Sequence, residues 1–170
     1  MSGRRVRIAP FAPEHAPALQ RLAADPRIAA TTRLPDPYPP DGAARFIAEA
    51  TAARAEGTAH AFAVLAEGTL VGSCGLKEVQ GGEAELGYWI GVPYWGRGYA
   101  TEAARLVALF AFETLGLRRL HAHTLVRNPS SGRVLEKVGF RAVGEAANPF
   151  AEWSPEDRIR RYVLERPASR

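Results

Sequence analysis

The sequence predicts one mixed α/β (α+β) domain, built on a mostly antiparallel central sheet of about seven strands flanked by helices. Three observations predict it. Apolar residues alternate along short segments in the middle and at the end of the chain, as in strands. Longer segments carry apolar residues at helical spacing, and glycine-containing turns join consecutive strands. The chain has 170 residues, so we expect a single domain over 1–170.

The N-terminal part predicts one strand and two helices. We expect a strand over 4–11, where Val6 and Ile8 alternate with arginines, and helices over 13–24 and 43–56. The intervening segment TTRLPDPYPPDG contains four prolines. It cannot be regular structure, and we predict a shaped surface loop.

The middle of the chain predicts an antiparallel meander. Apolar strands over 61–66, 70–79 and 83–92 are separated by the turns EGT and GG. A largely buried helix is predicted from Tyr99 to a cap at Gly116, because its apolar residues cover both sides of the helix.

The C-terminal part predicts three further strands and one helix. The strands are expected over 117–126, 140–145 and 157–165. The helix follows the first of these strands and ends at Gly139.

Composition excludes several classes of protein. The net charge is +4, but the positive charge is nearly all arginine and scattered, which favours small anionic ligands over nucleic acid. The single cysteine, Cys74, cannot form an internal disulfide, and no Cys/His cluster has zinc spacing. The N-terminus has no apolar signal region and no apolar run spans a bilayer, so we expect a soluble, cytoplasmic protein.

The stretch YWGRGYATEAA places two glycines directly before the buried helix. Glycine lets a backbone approach a ligand, and the free amides at a helix N-terminus attract an anion. We therefore expect the amides of about 97–101 to face a pyrophosphate, with Arg97 adding a charged contact. The stretch is not a Walker A motif, since Tyr99 follows the last glycine, and it lacks the third glycine of the dinucleotide fingerprint.

Two longer stretches carry a family resemblance. ELGYWIGVPYWGRGYATEA and FETLGLRRLHAHTLVRNPSSGRVLEKVGF resemble the GNAT N-acetyltransferase superfamily, and within it the branch of Rim-type ribosomal-protein N-terminal acetyltransferases. The family's R/Q-x-x-G-x-G/A loop falls on 95–100, with Trp95 replacing the usual first residue. The resemblance implies the GNAT fold, with acetyl-CoA as co-substrate and no metal.

The resemblance also implies where acetyl-CoA binds. Pantetheine is expected to lie between the strand ending at 90–92 and the strand beginning near Leu120, because these strands splay apart in the family. The pyrophosphate is expected on the glycine turn and the pantetheine arm on an asparagine. The cofactor-binding residues are therefore expected to be Ile90, Gly91, Val92, Arg97, Gly98, Tyr99, Ala100, Thr101 and Asn128.

Two residues are candidates for proton transfer. Acetyl transfer to an amine requires a proton acceptor for the amine and a proton donor for the thiolate. By resemblance Glu85 is the candidate base and Ser131 the candidate acid, although Glu85 also suits a solvated strand position and Ser131 a helix cap. The backbone amide near Ile90 or Gly91 is the expected oxyanion donor.

Three other residues are interpreted as structural. His121 and His123 share one face of a strand, but no third metal ligand accompanies them. Cys74 lies in an apolar strand, which favours a core thiol over a nucleophile.

The sequence therefore predicts an N-acetyltransferase that moves the acetyl group directly, in a ternary complex, to a primary amine. A protein N-terminal α-amine is the first expectation, and a polyamine or aminoglycoside-like amine the second. Arg33, Tyr38, the proline loop and 148–153 are expected to line the acceptor site. A polyamine acceptor stays possible because these loops contain acidic residues that would attract it: Asp36, Asp41, Glu145 and Glu152. The alternatives are a non-catalytic acyl-CoA sensor and a nucleic-acid-binding protein, and the predicted enzyme is a monomer or homodimer without nucleic-acid or membrane partners.

Overall fold

The computed structural model describes residues 1–168 and contains a seven-stranded sheet in the order β1-β2-β3-β4-β5-β7-β6. The strands are β1 Arg7–Pro10, β2 His60–Ala66, β3 Thr69–Gln80, β4 Glu83–Ile90, β5 Arg119–Leu125, β6 Arg141–Ala147 and β7 Arg158–Glu165. All neighbours are antiparallel except β4 and β5, which run parallel. The predicted fold class and the meander of β2, β3 and β4 are confirmed.

Five α-helices accompany the sheet within the described residues. They are α1 Ala16–Ala23, α2 Pro26–Ala29, α3 Gly42–Glu56, α4 Tyr99–Leu109 and α5 Pro129–Val138. A 3₁₀ turn over Pro13–His15 precedes α1, and a π-helical turn over Phe110–Thr114 continues α4. The segment predicted as one helix over 13–24 is therefore a 3₁₀ turn followed by the α-helix α1.

Glycines follow two of the helices, and the end of α5 at Gly139 was predicted. Gly57 follows α3 at φ +75° and Gly139 follows α5 at φ +115°, which are conformations that side chains disfavour. The proline loop over 31–41 contains no helix or strand, as expected from its prolines.

The sheet has a separate apolar core on each face. One face, formed in β2 by Phe62 and Val64, packs under α4 and includes its buried residues Ala103 and Val107. The opposite face packs under α1 and α3, where Leu19 and other residues form a second cluster. Alternation along β4 distributes its side chains between these faces. Leu86, Tyr88 and Ile90 therefore face α4, and Glu83, Glu85, Gly87 and Trp89 face the other way.

The parallel pair β4 and β5 separates after a few residues. Only 83–85 pair with 119–121, although β4 continues to Ile90 and β5 to Leu125. The remaining halves of the two strands leave a gap in the sheet, as the splay predicted from the resemblance requires. Since α4 follows β4 and α5 follows β5, both helices begin near the open end of this gap.

Candidate active site

A turn with two left-handed glycines leads into α4. Gly96 has φ +74° and Gly98 has φ +77°. We call residues Gly96–Thr101 the glycine loop. None of its six amides donates a hydrogen bond to another residue within 1–168, the first bonded amide being that of Glu102, which donates to the Gly98 carbonyl at 3.2 Å. Such a run of free amides at a helix N-terminus is a ready anion site.

Two arginines lie at the glycine loop. The guanidinium of Arg97 stands 5.8 Å from the ring centre of Tyr94, and Nη1 of Arg5 donates to the Arg97 carbonyl at 3.2 Å. Arg5 was not among the predicted site residues. It reaches the loop because Glu102 accepts hydrogen bonds from the amides of Arg5 and Val6, which fixes the N-terminal segment against α4.

The end of β4 offers two amides to the gap. Gly91 donates its amide to the Val71 carbonyl at 2.8 Å, so this amide is already engaged by β3. Because backbone groups of an antiparallel strand alternate in direction, the amides of Tyr88 and Ile90 point away from β3 and into the gap. Of the two oxyanion donors named from the sequence, only Ile90 therefore has a free amide on the side of the gap.

Trp95 fixes the turn between β4 and the glycine loop. Its indole Nε1 donates to the Ile90 carbonyl at 2.7 Å, while the ring is 51% exposed. Val92 begins a 3₁₀ turn between these two residues, and Gly91 packs so closely on α1 that a side chain there would meet Leu22.

On the β5 side of the gap, Asn128 and Ser131 flank the start of α5. The Asn128 side chain caps no helix amide and makes no hydrogen bond within the described residues. Ser131 is the third residue of α5 rather than its cap, and its Oγ lies 2.8 Å from the hydroxyl of Tyr88. The alternative interpretation of Ser131 as a capping residue is therefore wrong, and its hydroxyl partner is Tyr88 of β4.

Tyr88 is a protonated phenol in this position. Its hydroxyl donates to the Ser131 carbonyl at 2.9 Å, which leaves its oxygen free to accept from the Ser131 hydroxyl. Burial raises the pKa of Tyr88 well above its ordinary value. The pair is a connected source of protons beside the gap.

A cavity of about 410 Å³ crosses the sheet at the gap. Its walls include Glu85, Tyr88, Asn128 and Ser131, so the two candidate catalytic residues lie in one cavity. The glycine loop is outside this cavity. Ser73 also lines it, is 9% exposed and makes no side-chain hydrogen bond within 1–168, so its hydroxyl is available to a ligand.

On the face opposite α4, the cavity wall includes Arg33, His123 and Trp153, which all contact Phe150. We call these four residues the aromatic cluster. The Arg33 guanidinium lies 4.4 Å from the Phe150 ring centre, and the His123 ring stacks on Phe150 at 4.6 Å. Trp153 donates its indole Nε1 to the Thr32 carbonyl at 2.7 Å. This hydrogen bond joins two loops that are 121 residues apart in sequence.

Glu85 contacts the aromatic cluster. Its Oε1 accepts a hydrogen bond from Arg33 at 2.7 Å and lies 3.8 Å from Nδ1 of His123. The interpretation of Glu85 as a solvated strand glutamate is wrong, because its side chain is only 17% exposed. His123, expected to be structural, is in the cavity wall, whereas its neighbour His121 pairs with Glu83 at 2.6 Å.

Several loop residues predicted to line the acceptor site are elsewhere. Tyr38 packs against Gly42 at the start of α3. The cavity wall contains none of the four acidic loop residues considered for a polyamine, which are Asp36, Asp41, Glu145 and Glu152. Charge in the wall comes instead from Arg33, Lys77, Glu49 and Glu85.

Cys74 is a core residue, 1% exposed, and burial raises the pKa of its thiol. A thiol that stays protonated is a poor nucleophile. Within residues 1–168 no three metal-ligating side chains form a group that could hold an ion, and no helix is long and apolar enough to cross a membrane.

Comparison with known proteins identifies the family. A family model described as an acetyltransferase (GNAT) domain matches residues 5–141, and this chain therefore belongs to that family. The uncharacterized N-acetyltransferase p20 of Bacillus licheniformis is 32% identical over 93 residues, which are 52% of this chain and 52% of p20. The matches to p20 and to two Bacillus subtilis N-acetyltransferases span about half the length of those relatives. The FsC-acetyl coenzyme A-N(2)-transacetylase of Aspergillus fumigatus is 29% identical over 177 residues, covering 95% of this chain and 74% of that protein.

Solved structures share the fold at low identity. RimL, a ribosomal L7/L12 alpha-N-protein acetyltransferase in complex with coenzyme A, matches with a TM-score of 0.86 at 16% identity over 96% of this chain and 95% of RimL. A spermidine N-acetyltransferase from Vibrio cholerae, in complex with CoA and spermine, matches with a TM-score of 0.82 at 18% identity over 95% of each chain. Identities this low establish the common fold alone.

Proposed function

We propose that this protein transfers an acetyl group from acetyl-CoA to a primary amine, by direct transfer in a ternary complex. The observation that carries the proposal is the glycine loop, whose six unpaired amides lead into and form the first turn of α4, beyond the open end of the gap. Membership of a family of acetyltransferases supports it.

The residues present fit acetyl-CoA. The glycine loop and Arg97 would hold the pyrophosphate, since amides and a guanidinium both bind phosphate oxygens. The side-chain amide of Asn128 and the free backbone groups of β4 would hold the pantetheine arm between β4 and β5. Acetyl-CoA, when bound, supplies a thioester that an amine can attack.

The chain's own groups would assist the transfer at both ends. The Ile90 amide would stabilise charge on the carbonyl oxygen. Ser131, supported by the protonated hydroxyl of Tyr88, would donate a proton to the departing sulfur. The carboxylate of Glu85 belongs to the acceptor side of the cavity, where the amine must lose a proton.

A protein N-terminal α-amine is the acceptor that the cavity favours. An α-amine has a pKa of about 8, compared with about 10.4 for lysine, so it needs little help to lose its proton. Two cationic and two anionic side chains in the cavity wall give no excess of negative charge for a polyamine. The structural likeness to RimL is consistent with this acceptor, and Rim-type N-terminal acetylation is the finer assignment that we propose.

A small polyamine is the second candidate, because the fold is nearly as close to that of a spermidine N-acetyltransferase. Thiol release from acetyl-CoA distinguishes the two in a panel of peptides with free N-termini, spermidine and an aminoglycoside. We expect release with peptides, and peptides with a blocked N-terminus are the matched control. Calorimetric CoA binding without release from any amine would favour the sensor alternative, and no CoA binding would contradict the proposal.

A further inference from the structure

The imidazole of His123 has no assigned role and lies at the point where the gap opens. Glu85 and His121 form the last pair of the parallel ladder. The next residues on the same face are Gly87 of β4 and His123 of β5. Gly87 has no side chain, and nothing lies within 4 Å of the position where its Cβ would be. A molecule in the gap therefore meets His123 first on this face.

Neighbouring rings hold the imidazole in place. It stacks on Phe150 with 23° between the ring planes, and it packs edge-to-face on Trp153 with 5.9 Å between the ring centres. The side chain is 13% exposed, and neither ring nitrogen has a hydrogen-bond partner within residues 1–168. Nδ1 is the nitrogen nearer to Glu85, which leaves Nε2 for a ligand.

Glu85 is less suited to take a proton directly. Its Oε1 already accepts a hydrogen bond from Arg33, and its strand position is within the paired part of the sheet, before the gap begins. The same oxygen lies 3.8 Å from Nδ1 of His123, close enough to orient the ring with a small movement.

We infer that His123 takes the proton from the attacking amine and that Glu85, held by Arg33, positions its ring. This inference rests on the proposed acetyl transfer. The amine nitrogen forms a bond to the acetyl carbon as the carbon–sulfur bond breaks. The amine's proton passes to His123 and then to solvent, and the departing sulfur takes a proton from Ser131, which regains one from solvent.

The charges around His123 determine its protonation state. Burial lowers the pKa of His123, Arg33 and Lys77 lower it further, and Glu85 and Glu78 raise it. The pKa therefore lies below the ordinary imidazole value, and the ring is neutral at neutral pH. Because the neutral form accepts the proton, turnover should rise as the pH rises through this pKa. This acidic limb lies below the separate rise at about pH 8, where a free α-amine itself loses its proton.

The test is the pH dependence of kcat for three glutamine variants, measured by thiol release with acetyl-CoA and a short alanine-initiated peptide. His123→Gln should lower kcat by about 10²-fold and remove the acidic limb, as expected for loss of a general base. Glu85→Gln should lower kcat less and move the limb to lower pH, because the carboxylate that raises the pKa of His123 is gone. His121→Gln is the matched control, on the same strand face but paired to Glu83, and should leave the profile unchanged.

The opposite pattern overturns the inference. If Glu85→Gln removes the limb while His123→Gln keeps it, Glu85 is the base. A kcat for His123→Gln within about threefold of wild type also shows that His123 is not the base. Calorimetric CoA binding and thermal melting show whether each variant is folded. If His123→Gln is unfolded, His123→Asn is measured in its place. Wild-type protein that fails to bind CoA contradicts the proposed function. CoA binding together with a turnover that does not change when His123 is replaced contradicts this inference alone.

Discussion

The glycine loop and the aromatic cluster are built from different kinds of sequence. The glycine loop is six consecutive residues whose backbone amides make no hydrogen bond within residues 1–168. The aromatic cluster brings together Arg33, His123, Phe150 and Trp153 from three distant segments, through a hydrogen bond and ring contacts. A site made of backbone can be read from a short motif, because glycine and helix position define it. A site made of side chains from separate loops depends on how the whole chain folds.

The largest expected effect is on the glycine loop. Gly98→Val should weaken CoA binding by more than about 10²-fold, because a branched residue is strained at φ +77° and its Cβ would lie 2.6 Å from Nη1 of Arg5. Calorimetry measures the affinity. Gly57→Val is the matched control, at φ +75° after α3 with open space around it, and should lower the melting temperature without changing CoA affinity.

A slightly smaller effect, on kcat, is expected at the hydroxyls of Ser131 and Tyr88, which lie between the two regions. Ser131→Ala should lower kcat by about 10²-fold, since it removes the proton donor to the sulfur, and Tyr88→Phe by about tenfold, since it removes the hydroxyl that supports Ser131. CoA affinity should stay near wild type in both variants. Tyr38→Phe removes a hydroxyl outside the cavity and serves as the control. Unchanged turnover in Ser131→Ala and Tyr88→Phe would remove the acid assigned here.

The smallest effect is expected at two tryptophans, one in each region, that each donate the indole N–H to a backbone carbonyl. Trp95 donates to the Ile90 carbonyl and Trp153 to the Thr32 carbonyl, each at 2.7 Å. Replacing either by Phe removes about 1 kcal/mol of hydrogen bonding, or roughly a fivefold effect. Trp95→Phe should raise the CoA Kd, and Trp153→Phe should raise the acceptor KM. If both variants change the same constant, the two regions are not functionally separate.

Most of the fold could be predicted from the sequence. The seven strands follow from alternation and turn residues, although their ends differ by a few residues, as in β1, which begins at Arg7 rather than at residue 4. Helix α2 was missed because four residues are too few to show a helical period. Its signal was present in Asp25, whose side chain accepts from the amide of Arg27, followed by a proline at the first helical position.

Less of the acceptor side could be predicted. Glu85 and Ser131 were identified through a resemblance, but their partners Arg33 and Tyr88 come from elsewhere in the chain. His123 was passed over because its spacing from His121 suggested only a metal pair, and no sequence signal shows that the sheet splits between those two residues. The separation of β4 from β5 decides which side chains reach the cavity.

The most direct test of the glycine loop as the CoA site is to map backbone amide shifts by NMR as CoA is added to the intact protein. The largest shifts are expected at the amides of Gly96–Thr101, followed by Ile90, while Gly57 and the other residues at the end of α3 stay unchanged. Saturable CoA binding that leaves the amides of Gly96–Thr101 unshifted would contradict the account, because the pyrophosphate would then lie elsewhere.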